Sequence, residues 1–339
     1  MRRLRHGIPL VLLAVLAWLP YVPADLPVLL PGRVNGPGSM QLLALCLVMA
    51  GIALSYDVVF GRAGLLSFGH ALFVATGSYV TAIAMRTWGL PLALAGLVAL
   101  LVGLVLVLVV GSIALRVNGI AFAMVTLAFA QAASILVLRD PGSVTGGEEG
   151  LPLDRATTPS LFTGVANAPY RYWLALAFLA LAWAVVAWLS QSRAGHLWAA
   201  VRENPLRAGV LGVSTYRARL QALVVGSVLG TVGGVVHLVV LGGATAHLTT
   251  TEFTLSLLVM VVLGGAGSRW GAVLGGFLYT WADARLVDVS GLPAVQGLPA
   301  VLRTPLSQPL FILGVLFVLV VYYAPGGLTG LRQRGGQRA

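Results

Sequence analysis

The chain has 339 residues, of which 58% are hydrophobic and only 9% charged, with a net charge of +11. A soluble protein carries about 25% charged residues, and no soluble core of this length hides so much apolar surface, so a soluble globular fold is excluded. All 21 basic residues are arginine: this removes the phosphate-reaching lysine of a Walker A loop, and with no basic patch interleaved with exposed aromatics it excludes a nucleic-acid footprint.

In chain order, the apolar runs predict ten membrane-spanning helices, because about 20 residues cross a bilayer. The first covers roughly 8–30, behind the basic start MRRLRH, and the same stretch with Val22-Pro23-Ala24 also fits a cleaved signal peptide. Spans follow at roughly 41–60, 64–85, 90–115 and 118–138. A long connection, residues 139–170, leads to a span at roughly 171–190, and a second, residues 191–217, leads to one at 218–241. The last three are at roughly 254–267, 271–288 and 308–324. The expected fold class is an all-α polytopic membrane protein, a single transmembrane domain over residues 1–339. The single cysteine, Cys46, lies in an apolar run and has no partner for an intrachain disulfide.

Arginine placement sets the orientation. With the N-terminus cytoplasmic, fourteen arginines face Asp57 and Glu203 inside, a net +12, and seven arginines face eight acids outside, a net −1, which together give +11. An even number of spans puts both basic termini on the cytoplasmic side. The 139–170 connection is then an outer loop and the 191–217 connection an inner one.

The stretch FGRAGLLSFGHALFVATGSYV, residues 60–80, breaks the apolar pattern with Gly61, Gly64, Gly69 and Gly77 and with polar residues between them. Glycine is unfavourable inside a helix and polar groups are unfavourable in lipid, so both need a reason. Its start, VVFGRAG at 58–64, is echoed by VVLGGAG at 261–267, identical at five of seven positions. Small residues let helices approach closely and let them break, exposing backbone groups to a substrate. Ser67, His70, Thr126 and Gln131 are the candidate pathway residues for a zwitterion; the competing reading is packing, a serine bonding its own helix backbone and His70 a neighbouring helix. His237 and His247 lack ligand partners at metal spacing. No nucleophile elbow or zinc motif is present. Asp57, Asp283 and Asp288 lie near span ends, where they can be solvated.

The inner loop carries helix signals. Asn204 can cap, Pro205 suits the first helical position and Gly212 the position past the end, which predicts a helix over 205–211. Two turns are not stable alone in water, so Leu206, Val210 and Leu211, with Arg207 among them, must pack on the bundle or on another protein.

Four segments together resemble the membrane subunits of bacterial branched-chain amino acid importers, the LivM type of ABC permease. They are GRAGLLSFGHALFVATGSYV, Thr145-Gly146-Gly147 with Gly150-Leu151, AVRENPLRAGVLGVS followed by a glycine-rich span, and LLVMVVLGGAGSRWG. Ser78 and Glu148-Glu149 depart from the family's usual residues. The resemblance implies an importer permease fold in a bacterial inner membrane. It implies a second homologous permease subunit, two cytoplasmic ATP-binding subunits that hold the ATP, and an outer solute-binding protein. The chain itself would need no cofactor or metal and would catalyse no reaction. Arg202, Glu203, Asn204, Pro205, Leu206, Arg207, Val210 and Leu211 would couple to the ATPases, and Thr145, Gly146, Gly147 and Gly150 would form the outer-loop element. Relatives of the family move urea or short-chain amides, and a stand-alone secondary amino acid transporter is the rival of a different class.

Overall fold

The computed structural model describes residues 12–25, 30–290, 308–323 and 326–329. Helices dominate them: α1 (Leu12–Tyr21), α2 (Pro37–Asp57), α3 (His70–Trp88), α4 (Leu92–Ala114), α5 (Ile120–Arg139), α6 (Ala168–Gln191), α7 (Arg193–Glu203), α8 (Pro205–Val210), α9 (Thr215–Leu241), α10 (Thr251–Gly264), α11 (Arg269–Ser290) and α12 (Pro309–Tyr323). Five of them, α2 with its extension to Arg62, α4, α5, α6 and α9, are long and apolar enough to cross a membrane. α1, α10 and part of α12 are shorter apolar helices. α3 and α11, of 19 and 22 residues, are more polar, through His70, Thr76, Ser78 and Thr81 in one and Arg269, Asp283 and Arg285 in the other. The molecule is an all-α polytopic membrane protein. The part of the first predicted span before Leu12, and the basic termini at 1–11 and 330–339, lie outside the described residues.

α2 is the central helix, buried along most of its length and packed on α6, α9, α10 and α11. α9 runs beside it and also packs on α3 and α4. Backbone contact makes this possible: a Cβ on Gly77 of α3 would strike the Thr231 carbonyl of α9. α4 shows the lipid-facing pattern. It buries Ala95, Gly96, Ala99, Gly103, Val107, Gly111 and Ala114 against its neighbours and turns Leu97, Leu101, Val105 and Leu108 outward. Small residues inside and large aliphatics outside are what helix packing in lipid requires. The Tyr172 hydroxyl of α6 donates to the Leu16 carbonyl of α1 at 2.8 Å, holding the described part of α1 on the bundle.

The bundle has two distinct ends. α9, with 27 residues, is about 40 Å long. It starts beside α7 and α8, where Ser214 accepts from the Arg217 amide at 3.4 Å, and ends at Gly242 in the left-handed region, φ 78°. Just past it, β2 (Gly243–Ala244) pairs antiparallel with β1 (Leu151–Pro152) of the long 139–170 connection. That connection and the α7–α8 loop thus sit at opposite ends.

The span predicted at 64–85 differs. Residues 58–62 form a π-helical turn, 63–69 are not helical, and α3 starts only at His70. Gly61, Gly64 and Gly69 weaken the helix here, and the freed backbone groups find side-chain partners instead.

Candidate functional site

At one end, Ser192 caps α7 by accepting from the Gly195 amide at 3.5 Å, and Trp198 and Val201 bury that helix against the bundle. Asn204 separates α7 from α8, and its Oδ1 accepts from the Arg207 amide at 2.9 Å. Pro205 opens α8 and Gly212, φ 82°, follows it. The expected helix at 205–211 is found at Pro205–Val210. Its one buried residue is Ala208. Leu206, Val210 and Leu211 are 82%, 89% and 83% exposed. Both of the packing choices left by the sequence therefore separate cleanly: Ala208 seats α8 on the bundle, and the three large apolar side chains face away from it. Glu203 and Arg207 are exposed beside them.

Arg202 points the other way. Its guanidinium donates through Nη1 to the Gly61 carbonyl. Gly61 belongs to the first of the two echoed turns, and the second lies against it. Asp57, at the foot of α2, joins the two: Oδ1 accepts from the Gly267 amide at 2.6 Å and Oδ2 from Arg62 Nε at 3.3 Å. The Asp57 side chain is fully buried, so the expectation of a solvated span-end carboxylate is corrected. A buried carboxylate is tolerable when paired and hydrogen-bonded, and here it has both kinds of partner. The glycines of the echo follow from this contact. A Cβ on Gly61 would collide with Asp57 Oδ1 and the Gly267 amide, and Gly267 has φ 85° with Arg202 Nη1 only 3.0 Å from where its Cβ would lie. Asp57 escaped the sequence reading because nothing local separates a buried acid at a helix foot from a solvated one. The paired VVxGxAG turns were the available signal.

The four candidate pathway residues divide. Ser67, His70 and Thr126 are buried around the non-helical 63–69 segment, and Ser67 and Thr126 bond its backbone. Thr126 Oγ1 accepts from the Phe68 amide at 3.1 Å and donates to the Ala123 carbonyl at 2.9 Å. Ser67 Oγ accepts from the Gly69 amide at 3.3 Å, and its carbonyl accepts from the Tyr56 hydroxyl at 3.0 Å. Thr254 of α10 accepts from the Ala71 amide at 3.2 Å. His70 Nε2 lies 2.9 Å from Ser55 Oγ, with its ring against Tyr56 and Phe73. Gln131 stands apart on the exposed side of α5 and bonds Thr251 through its amide nitrogen.

At the opposite end, the 140–151 turn is built around Asp140. Its Oδ1 accepts from the Thr145 amide at 2.6 Å, and the Thr145 hydroxyl lies 2.8 Å from both that oxygen and the Val137 carbonyl. The Thr145 amide bond holds the Asp140 carboxyl below the usual carboxylate range. Gly146, Gly147 and Gly150 all have positive φ, and Gly150 packs directly on the Ala244 carbonyl of β2. This folds the turn onto the end of α9 and leaves Glu148 and Glu149 exposed at its tip.

Comparison with known proteins gives this geometry a context. Residues 39–321 match the family described as the permease component of branched-chain amino acid transport systems. The chain is 28% identical over 317 residues to the high-affinity branched-chain amino acid transport system permease protein LivM of Salmonella typhimurium, covering 86% of this chain and 70% of that one. It is 27% identical over 192 residues to a probable LivM permease protein of Methanocaldococcus jannaschii, covering 55% and 53%. It is also 26% identical over 253 residues to the LivH permease protein of Escherichia coli, covering 69% and 80%. No solved structure matches the chain.

Proposed function

The chain belongs to the family of permease components of branched-chain amino acid transport systems, and from that premise we propose that it is the membrane-spanning subunit of an ATP-driven importer for branched-chain amino acids. It works with a second, homologous permease subunit, two cytoplasmic ATPases and an outer solute-binding protein, in a bacterial inner membrane with both termini cytoplasmic. Energy comes from ATP held by the partner subunits, and substrate moves by alternating access.

The observation that carries this reading is the α8 tip. Leu206, Val210 and Leu211 are each more than four-fifths exposed on a short helix whose capping fixes its direction. Such an apolar cluster, next to charged Glu203 and Arg207, has the composition of a docking knob with a polar rim. Arg202 supports the same reading from the other side. It bonds the end of α7 to the first glycine turn, which Asp57 joins to the second, a continuous route by which a displacement of the loop would reach the feet of α2 and α10. At the far end, exposed Glu148 and Glu149 suit contact with a solute-binding protein.

Co-purification and transport by the reconstituted complex test the assignment. Each large apolar side chain buried in a partner cleft contributes about 1.5–3 kcal/mol, and an exposed rim charge about 0–1 kcal/mol. Leu206→Asp is expected to abolish amino acid uptake and to release the ATPases, with the permease still inserted and paired with its membrane partner. Arg207→Ala is expected to cost much less. ATPase co-purification and uptake both intact in Leu206→Asp would refute the coupling role of α8.

A further inference from the structure

Ser67 and Thr126 hydrogen-bond backbone amides of the 63–69 segment, and His70 Nε2 meets Ser55 Oγ while its Nδ1 is buried without a partner. A cavity of about 470 Å³ offers a substrate other polar partners at the end of the bundle that carries the 140–151 turn. It lies between the end of α9 and helices α10, α11 and α12, with α2 as its inner wall. Its size falls within the range of small-molecule sites, about 300–1,000 Å³. The lining changes with depth. Exposed His247 and Glu252 stand at the mouth, Asp283 is half-buried, and Met49, Phe253 and Met260 form a buried apolar wall.

One polar group in the wall is unexplained by the fold. His237 of α9 is only 4% exposed, lines the cavity, and has a buried Nδ1 with no hydrogen-bond partner. A buried ring nitrogen left unpaired is costly, and native structures rarely keep one without a water or ligand to meet it. Asp283 forms no ion pair among the described residues. The acidic and imidazole groups do not converge on a metal: no cluster of three or more His, Cys, Asp or Glu at metal-holding distance occurs among the described residues. Carboxylates, an unpaired imidazole and an apolar wall in one cavity match a different ligand, one with a cationic head, an anionic group and a small hydrocarbon tail.

We propose that this cavity binds the transported solute as a free zwitterionic aliphatic amino acid. Asp283, with Glu252 at the mouth, receives the ammonium, His237 faces the carboxylate, and the wall of Met49, Phe253 and Met260 takes the side chain. This rests on the importer reading and deepens it, because it gives this subunit a substrate-selecting site of its own.

Equilibrium binding of radiolabelled L-leucine to the full chain in lipid nanodiscs tests the site, with uptake by the assembled complex measured in parallel. The wild type is expected to bind leucine saturably, in or below the millimolar range, about 10 mM at most. The competitor 3-methylbutylamine, which keeps the ammonium, should displace leucine better than 4-methylpentanoate, which keeps only the carboxylate. Asp283→Asn should weaken leucine binding at least about tenfold and remove the preference for the amine. Gly314→Leu is the second variant: it lines the cavity and has no atom within 4 Å of its Cβ position, so it fills the space without a clash there. It should weaken binding comparably. Leucine affinity unchanged in both variants, or no saturable binding by the wild type, overturns the site while leucine uptake by the complex leaves the importer reading standing. A complex that takes up no aliphatic amino acid removes both.

Discussion

Asp57 is where the two halves of the glycine echo meet, and its environment sets what a substitution does. Asp57→Asn keeps an oxygen for the Gly267 amide but loses the charge that pairs with Arg62. Hydrogen bonds to charged groups are worth about 1.5–3 kcal/mol, and the loss should be of that order. Gly267→Ala forces a side chain into the left-handed region at φ 85°, at about 1–2 kcal/mol. Both variants are expected to lower the thermal unfolding midpoint in detergent, followed by fluorescence-detected size exclusion. An Asp57→Asn protein that unfolds at the wild-type midpoint would mean that the buried pair adds nothing to stability. Residue types here were legible, since the repeated VVxGxAG run is plain in the sequence. Their contact was not, because Asp57 and Gly267 are 210 positions apart.

Among the elements, α8 was the most readable, and the reason is local. Its signals, Asn204, Pro205 and Gly212, each act within a turn of the position they mark. The start of α3 was the least readable. Apolar residues continue through Leu65, Leu66 and Phe68, and the hydrophobic pattern does not report that Thr126 and Tyr56 will take over the backbone bonds of that segment. The 140–151 turn sits between these cases, its glycines visible and its Asp140–Thr145 bond not. That bond gives it a pH dependence. The Asp140 carboxyl is depressed in the folded chain, so its stabilising contribution is complete above the unfolded carboxylate value, about 4, and is lost as pH falls through the lower folded value. Amide hydrogen exchange of Thr145–Gly147 should therefore stay slow from neutral pH to about 5, after correction for intrinsic rates, and rise only in stronger acid. Protection that fades between pH 7 and 5 would assign the turn's order to another group.

For the whole molecule, the separation of the two ends is the feature on which the proposed importer role depends. The α7–α8 loop and the 140–151 turn lie at opposite ends of α9, a distance of about 40 Å, and the orientation expected from the arginine placement has the first inside and the second outside. Glu148→Cys and Val210→Cys, each in a Cys46→Ala background, place single thiols at exposed positions of the two ends. In intact cells a membrane-impermeant maleimide should label the first and not the second, and permeabilised cells should label both. Labelling of both in intact cells would contradict the orientation.

What the sequence determined by itself was whatever depends on composition, period and short range. That includes the membrane as solvent, the all-helical class forced by unpaired backbone in lipid, the two long connections, and the capped α8. The tertiary structure alone decided what depends on which distant residues meet. It buried Asp57 between two turns, turned Arg202 toward the bundle and Leu206 away from it, spent Ser67 and Thr126 on backbone amides, and left the His237 Nδ1 unpaired in a helix wall of the cavity that Asp283 also lines. A one-dimensional pattern records the kind of each residue and its spacing, whereas a polar group in a membrane protein is given its role by the partner that three-dimensional packing brings to it.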